Sequence, residues 1–202
     1  MKKISSLLFA ASAIAGCVSV SPRQRIFTDE KTLAVADMPK ITATDRTILR
    51  LVISDWFKDP ESEGEVWPAR TNGLLVVFAP SDTFTYAVQI AVDASPRVIP
   101  ADVMTSFTNR NAHAFDIRSV HPIGEGVKIV ERYERYWIDF EKAYPDAKGY
   151  ADISVPGFSF SGDQAVVRLS GGPSHHGFTC TYFLERKHDA WVIKWKKTAY
   201  YA

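Results

Sequence analysis

This chain predicts an α+β fold, on three observations. Two stretches, Asp45–Phe57 and Glu131–Tyr144, set apolar residues three and four apart, the period of a helix with one buried stripe. The C-terminal quarter instead alternates apolar with polar residues in segments joined by short, turn-rich connections, the pattern of an antiparallel meander. Composition supplies a core: of 202 residues 46% are hydrophobic and 12% aromatic, richer than a disordered chain. The architecture expected is a C-terminal four-stranded antiparallel meander packed against the amphipathic Glu131–Tyr144 helix, with an N-terminal helix and hairpin ahead of it.

The first helix is expected from Asp45 to Phe57, capped by Thr44 or Asp45, with Leu49, Val52, Ile53, Trp56 and Phe57 on one face and Asp59-Pro60 as its stop. Leu74–Phe78 is a continuous apolar run, which suits a strand buried on both faces. Phe84–Val92 alternates completely and is expected to pair with it as a hairpin across Pro80-Ser81-Asp82. Pro100 opens a short helix through Arg110 whose buried stripe is Val103, Met104 and Phe107. Phe115 and Ile117 suggest a brief strand ended by His121-Pro122. In the Glu131–Tyr144 helix, Val130, Tyr133, Trp137, Phe140 and Tyr144 form the stripe, and Pro145 ends it. The meander segments are Tyr150–Phe160, Gln164–Ser170, Phe178–Glu185 and Trp191–Tyr200. Strict alternation puts Phe178, Cys180, Tyr182 and Leu184 on one face of the third segment. In the fourth it groups Trp191, Ile193 and Trp195, with Lys194 and Lys196 turned away.

The beginning of the chain carries an address. Lys2 and Lys3, the short apolar run Leu7–Ile14 and small residues leading into Cys17 are ordered as in a secretory signal, and the run is too short to span a bilayer. Ile14-Ala15-Gly16-Cys17 resembles a bacterial lipobox, whose cysteine receives a diacylglycerol and becomes the new N-terminus. The resemblance implies a signal peptide over 1–16, a lipidated Cys17 heading a flexible tether over 17–40, and a single globular domain over 41–202. It also implies a palmitate-bearing lipoprotein of the cell envelope. Val18 after the cysteine points to the outer membrane facing the periplasm, because an Asp there would favour inner-membrane retention in enterobacterial lipoproteins. Cleavage after Ala13 or Ala15, where small residues are also suitably spaced, is the alternative and would release a free secreted protein.

Charge and cysteines narrow the function classes. The chain is formally +1, and loss of Lys2 and Lys3 with the signal leaves 22 basic against 23 acidic residues. A near-neutral chain without a basic block lacks the phosphate-neutralising charge of a nucleic-acid binder, so no nucleic acid is expected as partner. Cys17 and Cys180 are the two cysteines. A lipid on Cys17 leaves Cys180 without a disulfide partner.

Chemistry-bearing residues are sparse. His175-His176 could ligate a metal or serve Cys180 as a base, but His176 and Cys180 in an extended strand lie about 13 Å apart. Solvated hairpin histidines and an inert buried thiol are the simpler reading. His113 and His121 have no metal-ligand spacing, and no phosphate loop, dinucleotide fingerprint, nucleophile elbow or zinc-protease motif occurs, so no catalytic residue, metal ligand or cofactor is assigned. Asp152 and Asp82, with Tyr133 and Tyr136, could converge on a pocket as acid and base; Asp82 equally suits a turn. The pocket candidates carried forward are Asp152, His176 and Tyr133.

A wider resemblance covers about residues 74–202. Trp137-x-x-Phe140-x-x-x-Tyr144-Pro145, Gly149, Ser154, Gly157-Phe158, Gln164-Ala165-Val166, Gly177 and Trp191-x-Ile193, with Ser106-Phe107 and Asn111 upstream, resemble a group of uncharacterised bacterial secreted proteins and lipoproteins. The closing strands, through Leu184-x-Arg186, the turn and Trp191-x-Ile193, are also similar to nuclear-transport-factor-2-like domains. Neither resemblance implies a catalytic residue. Two functions follow. One is a lipid-anchored envelope protein that binds a protein partner or ligand without chemistry. The other is a small enzyme or ligand carrier with a pocket between the C-terminal sheet and the 131–144 helix.

Overall fold

The computed structural model describes residues 37–58, 74–79, 81, 98–121, 123–131, 142–172 and 177–201, all within one unit, Leu33–Ala202. The signal and tether with Cys17, the expected strand Phe84–Val92 with Asp82, most of the expected 131–144 helix with Tyr133, Tyr136 and Trp137, and the His175-His176 loop lie outside the described residues. The protein is α+β, with two α-helices and a seven-stranded, mostly antiparallel sheet among the described residues.

Helix α1 runs Ala43–Lys58 and buries Ile48, Leu49, Val52, Ile53 and Trp56, the stripe that the periodicity predicts. Its cap differs from the expectation. Thr42 Oγ1 accepts from the Asp45 amide at 3.1 Å, and Asp45 Oδ2 accepts from the Thr42 amide at 2.9 Å. This reciprocal box puts the cap two residues before Thr44, because Asp45 sits three positions after Thr42 and satisfies its N–H. Helix α2, Ala101–Arg110, follows Pro100 as expected, with Val103 and Phe107 fully buried.

The strands are β1 Leu74–Ala79, β2 Val127–Glu131, β3 Ala147–Ile153, β4 Gly157–Phe158, β5 Gln164–Gly172, β6 Gly177–Lys187 and β7 Ala190–Tyr201. They lie in the order β2-β1-β3-β5-β6-β7, with β4 paired to β5 beyond the end of β3. The antiparallel ladder β3-β5-β6-β7 is the expected meander, with its first segment divided at 154–156. Three expectations change. Strand β1 is parallel to both β2 and β3, so both its edges are taken and it is not half of a hairpin with Phe84–Val92. Glu131 and Val130 belong to β2, so the helical period does not extend back to them. Around Phe115 and Ile117 the backbone makes a single bridge, Lys40 to Asp116, and then a 3-10 turn over Arg118–Val120. There Arg118 and Lys40 hold the Asp116 carboxyl well below the usual carboxylate range.

Side-chain alternation gives the sheet two unlike faces. The inner face packs Leu75, Val77, Ala151, Ile153, Ala165, Val167, Leu169, Cys180, Tyr182 and Leu184 against α1, in one cluster. Helix α1 covers this inner apolar face, while the expected cover over 131–144 lies mostly outside the described residues. The outer face carries two separate apolar clusters. At one end α2 sets Val103 and Phe107 on Val166 and Phe183, with Trp195 stacked on Phe183 at 5.4 Å. At the other end Val76 and Phe78 meet Val130, Tyr144 and Tyr150. Gly157 lets α2 come this close, since a Cβ there would lie 2.4 Å from the Phe107 backbone.

Two polar joints fix the helices to the sheet. Arg110 donates to both oxygens of fully buried Asp45 at 2.9 Å and to the Pro156 carbonyl at 2.6 Å, its guanidinium between the Phe115 and Phe158 rings. Buried Asn111 donates to the Phe107 and Val155 carbonyls and accepts from the Val155 amide. Its amide therefore ties the end of α2 to the bend after β3.

Candidate functional site

Between the two apolar clusters of the outer face lie two polar rungs. The ladder registers Arg168 with Thr181 and Thr181 with Lys197. One step along the strands, it registers Asp152 with Ser170, Ser170 with Thr179, and Thr179 with Ala199. Neighbouring rungs on one face are about 7 Å apart and neighbouring strands about 5 Å. The next rung, Val166–Phe183–Trp195, already belongs to the α2 cluster, which fixes the direction of every side chain in the two rungs.

An antiparallel sheet that turns one face to water normally fills it with long charged side chains. These rungs instead mix hydroxyls with charged groups and are largely covered. Thr181 is 0% exposed, Thr179 8% and Arg168 9%, while Asp152, Ser170 and Lys197 are half-buried. Thr181 Oγ1 is buried and has no hydrogen-bond partner. Arg168, Thr179, Asp152 and Lys197 each have interactions of their own. The floor thus combines two cations, one carboxylate and three hydroxyls in a surface flanked by aromatic groups.

A second polar cluster sits on the inner face under α1. Asp55 Oδ2 accepts from Lys196 Nζ at 2.8 Å and from the Tyr182 hydroxyl at 3.2 Å. Beside it, Thr198 donates to Cys180 Sγ at 3.3 Å. Burial pushes the Cys180 thiol up to about 11 and raises the Tyr182 phenol as well. Neither group is ionised near neutrality, so this cluster satisfies buried polar atoms and offers no activated nucleophile. It exists because β7 carries a bulge. Phe183 registers with Trp195 but Leu184 with Ile193, which leaves Lys194 as the extra residue. That insertion corrects two expectations. Trp195 faces the outer side while Trp191 and Ile193 pack against the inner core, and Lys196 points in toward Asp55.

Of the pocket candidates, Asp152 lies on the polar floor, while His176 and Tyr133 fall outside the described residues, as does Cys17. His121 is an acceptor within the fold, its Nε2 taking the Ile129 amide at 3.0 Å, and His113 is exposed. Among the described residues no three His, Cys, Asp or Glu side chains gather as a metal-binding group. Among them, too, no helix is long and apolar enough to cross a membrane. Arg168, Ser170, Thr179, Thr181 and Lys197 escape a reading that follows only apolar alternation. The signal was present, because Thr179 and Thr181 alternate with Cys180 and Tyr182 without the charged residues of a solvated face. Comparison with protein-family models, with curated proteins and with solved structures finds no match for this chain.

Proposed function

We propose that this is a lipid-anchored protein of the bacterial cell envelope, held through Cys17 at the outer membrane and facing the periplasm. It works as a binding module that takes a small polar ligand on the outer face of its sheet. The observation that carries the binding site is the covered polar floor of Asp152, Arg168, Ser170, Thr179, Thr181 and Lys197. The floor's only carboxylate among the described residues is Asp152, and no activated nucleophile accompanies it, which supports holding a ligand rather than transforming it. Trp191 is on the other face and Trp195 borders the floor from the adjacent rung, so neither fills it. Tyr144 packs beside Phe78 on the floor's own face. The order of residues from Lys2 to Cys17 supports the anchor.

The test is thermal unfolding of the full chain, purified in mild detergent, with and without the dialysable small molecules of the envelope. A ligand at a hundred times its dissociation constant adds about 2.7 kcal/mol to stability, a readily measured rise in melting temperature. The expected result is a rise in the wild type that is lost in Ser170→Trp, which fills the floor. No rise, or an equal rise in the filled variant, contradicts the site.

A further inference from the structure

We infer that the turn carrying Phe160 is a membrane contact, its ring entering the apolar layer of the bilayer to which Cys17 holds the chain; this rests on the lipid anchor proposed above. Among the described residues two large apolar side chains stand open to solvent, Phe160 at 93% and Val98 at 84%. A lone exposed apolar residue is ordinary on a protein surface. Phe160 differs in how it is held and in where it stands.

The turn over 159–163 is held by hydrogen bonds from both flanks. The Phe160 amide donates to Asp102 Oδ2 on α2 at 2.9 Å, and the Gly162 amide donates to the Ser159 carbonyl at 3.0 Å. The Ser159 and Ser161 hydroxyls both donate to Asp163 Oδ1, and Ser159 Oγ accepts from the Gln164 amide at 3.1 Å. Gly162 takes the left-handed φ of 72° that closes the turn. Ser161, Gly162 and Asp163 are the residues a turn needs, whereas the phenyl ring adds nothing to it. With the backbone already fixed, little ordering is left for the moment of contact.

The register puts this turn at the end of the sheet where the chain arrives from Cys17. Strand β1 runs parallel to β2 and β3, which brings Glu131 and Ile153 to one end, and β4 with its turn lies beyond Ile153 along β5. The arriving chain is tied to that same end. Lys40 bridges Asp116, and Arg118, bonded to Asp116, reaches Glu131 Oε1 at 2.7 Å. Asp45, bonded to Thr42, is joined through Arg110 to the Pro156 carbonyl, directly ahead of β4. A lipid on Cys17 therefore acts on the end of the sheet that carries Phe160.

The bilayer suits this feature better than a protein does. A stable protein contact covers about 1,000 Å² or more, which one ring on a polar turn does not supply. Hydrocarbon takes up a single side chain. Charge contributes little, because Arg186 and Lys187 of the adjoining hairpin stand with Asp102, Asp163 and Asp189 and form no basic patch; the Arg186 amide meets the Asp163 carbonyl at 2.7 Å. The contact is thus apolar and indifferent to salt. Burying one phenylalanine shifts an equilibrium by about ten- to a hundredfold. That is too little to recruit a free protein, but enough to orient one already anchored.

The experiment reconstitutes the lipidated protein into phosphatidylcholine vesicles that carry a lipid-borne quencher. A fluorophore is attached at Lys187→Cys, beside the turn, or at Glu125→Cys, exposed at the opposite end of the sheet ahead of β2; Cys180 is buried and stays unlabelled. The expected result is that the label at 187 is quenched several-fold more than the label at 125. The difference persists at about 1 M salt, where screening acts within about 3 Å. It disappears in Phe160→Ser, which melts at the wild-type temperature because the ring is exposed. Equal quenching of the two labels, as a ring reserved for a protein partner would give, overturns the inference. So does a difference that survives Phe160→Ser or vanishes in salt, and so does a lowered melting temperature, which would mean that the ring serves the fold. Failure of the anchor itself looks different: the protein then carries no lipid and washes off the vesicles whichever residue stands at 160, and the inference falls with it.

Discussion

At Cys180 the sulfur lies inside the α1-facing core, accepts a hydrogen bond from Thr198, and has its thiol pushed up to about 11 by burial. A thiol held above its ordinary value gives stability that is full below that value and is lost as the pH rises toward the folded one. The alkaline limb of the stability profile should therefore flatten in Cys180→Ala, measured by urea unfolding between neutral pH and about 11. The same residue also reports on Cys17. The mature protein should show no reactive thiol while folded and one per chain once unfolded; two would mean a free Cys17 and no lipid. The Asp45–Arg110 pair makes a second prediction at this scale. Removing one partner strands the other in a buried site, at a cost of about 3–5 kcal/mol. Arg110→Met and Asp45→Asn should each lower the urea midpoint, and the double variant should lose less than their sum. Additive losses would show that the two side chains act separately.

The elements differ in how far they could be read from the chain. Helices α1 and α2 were legible because one buried stripe recurs at a fixed period, and α1 ran only two residues beyond its expected start. The meander was legible because alternation and short turns are local signals. The bulge was not. Lys194 looks like any outward residue of an alternating strand, and only the register with β6 shows that two residues of β7 oppose one. Its consequence is large, because the insertion lets Ile193 and Trp195 face opposite cores. Deleting Lys194 should therefore turn one half of β7 to the wrong face and abolish cooperative thermal unfolding. Lys194→Ala keeps the residue count and loses an exposed pairing with Glu185 and a cation–π contact with the Phe183 ring, each worth about 1 kcal/mol or less. Equal damage from both changes would refute the role given to the bulge.

For the whole molecule, the sheet divides labour between its faces. The inner face closes on α1 as a continuous apolar core with one satisfied polar cluster. The outer face keeps its apolar contacts at the two ends and leaves polar rungs between them. Sequence periodicity found the burial of β1 but not its partners, since parallel pairing joins segments far apart in the chain and leaves no turn to mark it. For the same reason Asp152 could be singled out as a candidate, while Arg168, Thr181 and Lys197 became visible only when three strands were placed side by side. The central claim is that these rungs hold a ligand. Backbone amide shifts of the full chain in detergent, recorded while the active envelope fraction is titrated in, test it most directly. The largest changes are expected at Asp152, Arg168, Ser170, Thr179, Thr181 and Lys197, with α1 unmoved; changes confined to α1 and the inner face would contradict the ligand floor.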